Sequence, residues 1–199
     1  MIKNQLVRRE IADKKVLEAI EKVPRHLFVS KGQRPFAYSD NPLPIGHGQT
    51  ISQPYIVAFM TEVLKVKPHH AVLEIGTGCG YQAAILSLLV KNVISLEIVK
   101  ALADSTKKRL KKLNYKNIDV FCSNGEKGWA KDAPYDRIIT TAAPTQVPDA
   151  LIEQLNFDGR MIIPVGPDIN YQYLQIITKN KRGIIRTKQS LPVRFVPMV

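Results

Sequence analysis

The sequence predicts an α/β fold: a doubly wound, mostly parallel sheet with helices on both faces and an antiparallel edge. Between residues 71 and 166, apolar segments of strand length alternate with helical segments, the pattern of a parallel sheet. These strands are apolar along their length, as expected when both faces are covered. Two late strand-like segments flank Arg182-Gly183 with no helix between them, which favours an antiparallel pair.

The elements can be assigned in order along the chain. Up to residue 30, the apolar spacing suits short amphipathic helices, with Asp13 as the N-cap of the second and Val23-Pro24 closing it. Residues 31–54 are rich in proline and glycine and predict a long, ordered loop. Further helices are predicted at 53–64, 81–90, 100–113 and 148–155, and strands at 71–76, 92–99, 117–123, 135–143, 159–166, 171–180 and 184–199.

Composition indicates one globular domain. The 199 residues are 45% hydrophobic and 23% charged, with no stretch long enough to cross a membrane and no signal-peptide core. We divide the domain into 1–60 (N-terminal helices and substrate loop), 61–166 (cofactor-binding core) and 167–199 (C-terminal strands). We expect a cytoplasmic monomer with free thiols and no metal site, since no cysteine or histidine has zinc-site spacing.

The net charge is +12, which suits nucleic acid, an acidic substrate or solubility alone. The lysines concentrate at 100–116, where the solvated face of a helix is a simpler interpretation than a phosphate-binding stripe.

A glycine-rich turn follows the first core strand, where Gly76, Gly78 and Gly80 come after Glu74. Glycines let the backbone turn tightly and approach a ligand, and nucleotides bind at this turn in open α/β sheets. Glu97 ends the second strand, where a carboxylate can accept hydrogen bonds from both ribose hydroxyls. A turn kept only for packing remains the alternative.

The glycine spacing discriminates between ligands. A dinucleotide fingerprint is GxGxxG, but Tyr81 holds its third glycine position and Gly80 comes one residue early. This spacing, with Glu74 before it, resembles the first motif of S-adenosylmethionine-dependent methyltransferases. The resemblance implies S-adenosyl-L-methionine as the cofactor, with Glu74 helping to orient its methionine end.

More specific stretches occur in one order along nearly the whole chain: VPRHLFV (23–29), AYSDNPLPIGHGQTISQP (37–54), VLEIGTGCGYQAA (72–84), APYDRIITTAA (133–143) and PVRFVPM (192–198). Together they resemble the protein-L-isoaspartate O-methyltransferase family. The resemblance implies repair of aged proteins by methylation of the carboxylate formed when Asn deamidates or Asp isomerises. It also implies a Rossmann-like core whose last two strands are interchanged relative to most related methyltransferases.

The resemblance implies site residues as well. Ser52 matches the active-site serine, and in the same segment we assign Thr50 to the cofactor and Ile51 to the substrate. Val193 and Arg194 match the part that holds the substrate peptide. Their backbone groups can pair with an extended peptide, which allows recognition without a sequence requirement.

One departure concerns the turn after the third core strand. The family usually has Gly-Asp-Gly there, whereas this chain has Ser123-Asn124-Gly125. We expect Asn124 and Gly125 to contact the cofactor, with Asn124 accepting a hydrogen bond from the adenine amino group. The amide keeps an acceptor oxygen and loses the charge, so cofactor binding is expected to persist.

The chemistry needs no general base, because a carboxylate is already ionised at about pH 7. Ser52 is expected to orient the substrate carboxylate as a donor, and its alternative role is the N-cap of the next helix. Two other functions remain open: an RNA or small-molecule methyltransferase, and a binding protein that has kept the fold. The segment Thr141-Ala142-Ala143-Pro144 lacks an amino-methylating NPPY-type motif, and we expect no nucleic-acid or membrane partner.

Overall fold

The structure is a computed structural model that describes all 199 residues. Its α-helices are α1 (Lys14–Lys22), α2 (Pro54–Leu64), α3 (Tyr81–Ser87), α4 (Lys100–Lys112) and α5 (Asp149–Glu153). Its strands are β1 (Leu43–Gly46), β2 (Gln49–Ile51), β3 (Ala71–Ile75), β4 (Asn92–Glu97), β5 (Ile118–Cys122), β6 (Tyr135–Thr140), β7 (Leu155–Val165), β8 (Gln172–Lys179) and β9 (Ile185–Val193).

Seven strands form one sheet in the order β5-β4-β3-β6-β7-β8-β9. Strands β3 to β7 run parallel, and β8 and β9 add to β7 in antiparallel fashion, in the order in which they follow one another in the chain. The predicted fold class is therefore confirmed, including the antiparallel edge.

The strand order reverses at β3. From β3 the chain continues to β4 and β5 on one side, and then returns to place β6 and β7 on the other. A crevice forms outside the carboxyl ends of the strands at such a switch point, and ligands of open α/β sheets bind there. The glycine-rich turn after β3 lies at this position.

The N-terminal segment forms short helices, as predicted. Asp13 caps α1 by accepting hydrogen bonds from the Lys15 and Val16 amides at 2.9 and 3.4 Å, and the helix ends at Val23. The residues before it form one π-helical turn and one 3-10 turn. The sequence analysis placed the first boundary of the chain after residue 60, but helix α2 continues through that position. The division of the chain into three parts stays a prediction.

The loop predicted at 31–54 contains a hairpin that the sequence analysis missed. Strand β1 pairs with β2, with Leu43 opposite Ile51, and the turn uses positive φ at Gly46, His47 and Gly48. The two prolines near β1 are compatible with pairing because the two-stranded ribbon leaves edge positions that need no donor. Leu43 and Ile51 are buried, so the expectation of an ordered segment is confirmed.

No helix has the length and apolar character needed to span a membrane.

Candidate active site

Two adjoining cavities open at the carboxyl edge of the sheet. The glycine-turn cavity has a volume of about 90 Å³ and the peptide-side cavity about 460 Å³. Thr50, Thr141 and Val196 line both. The two cavities therefore adjoin at these three residues, which form a shared wall.

The glycine turn is tied to its neighbours on both sides. The Gly76 amide donates to the Leu96 carbonyl at 2.8 Å, and the Thr141 hydroxyl donates to the Gly76 carbonyl at 2.6 Å. Gly76 has φ of +91°, and a Cβ there would collide with Thr141 Oγ1. Gly78, with φ of +52°, also lines the glycine-turn cavity. Both glycines are therefore needed for the shape of the turn.

Glu97 lies at the end of β4 and lines the glycine-turn cavity. Its Oε2 accepts from the Gly78 amide at 2.7 Å, and its Oε1 accepts from the Val99 amide at 2.9 Å. A carboxylate offers about four acceptor positions, so two of them remain for the hydroxyls of a ribose. The side chain is thus fixed in place and still able to bind.

Glu74 is placed differently from the other predicted cofactor residues. It is fully buried on β3 and lines neither cavity. Its Oε2 accepts a hydrogen bond from the Ser95 hydroxyl, which also contacts the Thr77 hydroxyl at 2.6 Å. Burial raises the pKa of Glu74 to about 8. Glu74 therefore supports the turn from behind, through Ser95 and Thr77.

Of the other predicted cofactor residues, Thr50 and Gly125 line the glycine-turn cavity, whereas Gly80 and Asn124 do not. Gly80 precedes α3 with φ of +85°, and a Cβ there would lie 2.7 Å from Thr106 Cγ2 of α4. Its glycine is required for packing between α3 and α4. Asn124 lines neither cavity, and its Oδ1 accepts from the Glu126 amide at 2.8 Å.

Ser52 lines the peptide-side cavity and is free to bind. Its hydroxyl, amide and carbonyl have no hydrogen-bond partner in the protein. The N-cap of α2 is Gln53, and Asp40 satisfies the Tyr55 amide at 3.0 Å. The alternative role of Ser52 as the helix cap is therefore wrong, because a carboxylate from the preceding loop binds the end of the helix.

The other predicted substrate residues divide into two groups. Val193 and Arg194 line the peptide-side cavity, and the backbone amide and carbonyl of Arg194 have no partner in the protein. Ile51 is buried in the core and lines neither cavity. Its assignment to substrate contact does not match this placement, since its side chain belongs to the hydrophobic core.

The family model for protein-L-isoaspartate(D-aspartate) O-methyltransferase matches residues 1–199. This chain belongs to that family. A Polaromonas sp. protein-L-isoaspartate O-methyltransferase 2 is 50% identical over 186 residues, covering 94% of this chain and 88% of that protein. The Syntrophobacter fumaroxidans protein-L-isoaspartate O-methyltransferase 2 is 52% identical, covering 94% of this chain and 75% of that protein.

Solved structures agree with the family assignment. A protein-L-isoaspartate O-methyltransferase structure superposes with a TM-score of 0.88 at 28% identity; the match covers 96% of this chain and 62% of that one. A Plasmodium falciparum structure described as a family member, in complex with S-adenosyl-L-homocysteine, has a TM-score of 0.81 at 27% identity. It covers 97% of this chain and 94% of that one.

The lining of the glycine-turn cavity suits the cofactor of this methyltransferase family. Glu97 offers acceptors for a ribose, and Ile98, Val99 and Gly125 offer an apolar surface for a flat base. The carboxylate acceptors, the apolar surface and the shape of the turn therefore fit an adenosyl group.

Sequence analysis missed several residues of this candidate site, and three of them bear on its shape. Thr141 and Val196 form the shared wall, and buried Gln172 holds the backbone of Phe195. Thr141 could have been found, because it follows a core strand at the carboxyl edge. Nothing in the sequence pairs Gln172 with Phe195, since that contact depends on how β8 and β9 align.

Proposed function

We propose that the chain transfers a methyl group to the free carboxylate of L-isoaspartyl residues in aged proteins, with Ser52 orienting that carboxylate. Membership of the protein-L-isoaspartate O-methyltransferase family supports the reaction and its cofactor. The observation that carries the role of Ser52 is its unpartnered hydroxyl in a cavity that shares a wall with the glycine-turn cavity.

S-Adenosyl-L-methionine supplies an electrophilic methyl group and a neutral thioether leaving group when it is bound. Glu97, Gly76, Gly78 and Gly125 would hold it in the glycine-turn cavity, with Thr50 at the shared wall. Glu74 would act on this site indirectly, through the hydrogen bonds that support the turn.

The protein's own task is positioning. The substrate carboxylate is ionised at about pH 7 and needs no base. The Ser52 hydroxyl and amide are two free donors at one point of the peptide-side cavity, which suits the two acceptor oxygens of a carboxylate. A carboxylate held there lies in the cavity that adjoins the glycine-turn cavity, and positioning of this kind lowers a barrier by several kcal/mol.

Arg194 contributes in two ways. Arg194 is exposed and lines the cavity, and its guanidinium makes no ion pair in the protein. It therefore attracts an anionic substrate. Its free amide and carbonyl suit pairing with an extended peptide, independent of the peptide's side chains.

The role of Ser52 is tested with Ser52→Ala. We expect kcat/KM for an isoaspartyl peptide to fall roughly 10- to 100-fold, the value of a hydrogen bond to a charged group. Cofactor affinity and melting temperature should stay at the wild-type values.

The matched control is Ser190→Ala, on β9. Ser190 is half-buried, lines neither cavity and makes no side-chain hydrogen bond, so its replacement should leave kcat/KM unchanged. Wild-type kcat/KM in folded Ser52→Ala would refute the orienting role.

A further inference from the structure

The peptide-side cavity depends on a stretch of chain that lies beyond the sheet. Strand β9 ends at Val193, which pairs with Gln172 at the start of β8. Beyond that pair, the chain is held by the Gln172 side chain and no longer by strand pairing. Its Oε1 accepts from the Phe195 amide at 2.6 Å, and its Nε2 donates to the Phe195 carbonyl at 3.0 Å.

This contact uses both the oxygen and the nitrogen of a buried amide. Gln172 is only 3% exposed, and no other side chain forms a hydrogen bond with the backbone of residues 193–196. One donor and one acceptor are needed at the same time, and only an amide of this length offers both. The Gln172 side chain therefore gives the Phe195 backbone the two hydrogen bonds that a neighbouring strand would otherwise provide. We call this contact the clamp.

The clamp leaves the backbone amide and carbonyl of Arg194 available to a ligand. Arg194 lies between the last sheet pair at Val193 and the clamped Phe195, and its amide and carbonyl have no partner. Separate hydrogen bonds fix the residues that follow. The Ala143 amide donates to the Val196 carbonyl at 2.8 Å, and the Ala143 carbonyl accepts from the Met198 amide at 2.9 Å. Gln172 is thus what fixes the backbone just after Arg194.

We infer that Gln172 is a positioning residue for the peptide substrate: by clamping Phe195 it holds the free backbone groups of Arg194 ready to pair with the peptide. This inference rests on the proposed function. A segment ordered in advance loses less conformational entropy when the peptide binds. The clamp should therefore affect peptide binding much more than methyl transfer or cofactor binding.

The test variant is Gln172→Met, which keeps the length of the side chain and removes both hydrogen bonds. We expect the KM for an isoaspartyl peptide to rise about tenfold, consistent with the loss of two buried hydrogen bonds. The kcat at saturating peptide should change less than about twofold. Cofactor affinity, measured by calorimetry, should stay at the wild-type value, because Ala143 holds the segment that lines the glycine-turn cavity.

The matched control is Gln175→Met on the same strand. Gln175 is half-buried, makes no side-chain hydrogen bond and lines neither cavity. The KM of the Gln175→Met enzyme for the peptide should therefore equal the wild-type value. If Gln172→Met does not fold, Gln172→Asn replaces it. That side chain stays polar but is one methylene too short to reach Phe195, and the same rise in KM is expected.

The outcomes separate this inference from the function on which it rests. Wild-type enzyme that leaves the isoaspartyl peptide unmethylated would overturn the proposed function and this inference together. An active wild type combined with an unchanged KM in the folded Gln172 variant would overturn the inference alone. A loss confined to kcat, or an equal rise in KM in the control, would also overturn it.

Discussion

Among individual residues, hydrogen bonding separates the polar groups that shape the site from those available to a ligand. The Asn124 side chain is bound to a backbone amide, and Glu74 is bound within the sheet. Ser52 and Arg194 keep free backbone donors and acceptors beside the peptide-side cavity. Glu97 belongs to both classes, since it holds the turn and still lines the cavity.

The buried carboxyl group of Glu74 predicts a pH dependence of stability. Its pKa is raised from 4.5 to about 8 in the folded protein, so the folded state binds more protons than the unfolded state between these values. Stability from this group is therefore complete below about pH 4.5 and is lost as the pH rises through about 8. The full effect is at most about 5 kcal/mol.

Replacement of Glu74 by Gln removes this titration. We expect the free energy of unfolding of wild type to fall relative to Glu74→Gln as the pH rises from about 4.5 to about 8. Urea denaturation at several pH values measures the difference. Parallel pH profiles for the two proteins would show that Glu74 is not held neutral.

At the residue level, the sequence predicted contacts well where a local pattern determines them. Gly76, Gly78 and Glu97 line the predicted cavity because a strand, a turn and the next strand fix their positions. Ile51 does not line a cavity, because the hairpin around it turns its side chain into the core. Gln172 could not be found, because its partner is set by tertiary structure alone.

At the level of elements, the alternating pattern predicted five strands of the large sheet and the two consecutive late segments predicted β8 and β9, with ends that differ by up to six residues. Helix α4 also has the predicted solvated face. Its buried residues are Leu102, Ala103, Thr106 and Leu110, while its lysines are exposed. The hairpin β1–β2 was missed because its two strands are very short and lie in a segment rich in proline and glycine, which favours a loop assignment. Its turn at positive φ also leaves no periodic pattern in the sequence.

The packing of α3 against α4 depends on Gly80. In Gly80→Ala, the new Cβ would meet Thr106 Cγ2 at 2.7 Å, and the residue would have to keep a φ of +85°. We expect a loss of about 1–3 kcal/mol in the free energy of unfolding.

Gly32→Ala is the matched control for this loss, because nothing lies within 4 Å of its added Cβ and its φ is not positive. Chemical denaturation of both variants measures the difference. Equal stability of the two variants would contradict the packing role of Gly80.

For the whole molecule, we expect the excess of positive charge to raise the rate at which the enzyme meets an anionic substrate. The net charge is +12, and Arg194 places one exposed cation beside the peptide-side cavity. Such a field raises the association rate of anionic ligands and is screened by salt.

Two isoaspartyl peptides that differ only in their flanking residues, acidic or basic, test this effect. We expect kcat/KM for the acidic peptide to fall more steeply as the salt concentration rises from about 0.05 to about 0.5 M. The same salt dependence for both peptides would show that the charge serves another purpose, such as solubility.

The most direct test of the whole account is methyl transfer from labelled S-adenosyl-L-methionine to two peptides that differ at one residue, isoaspartate or aspartate. We expect base-labile label on the isoaspartyl peptide alone, because the proposed roles of Ser52 and the shared wall require a carboxylate in one position relative to the peptide backbone. Equal label on both peptides, or no label on either while the cofactor still binds, would contradict the account.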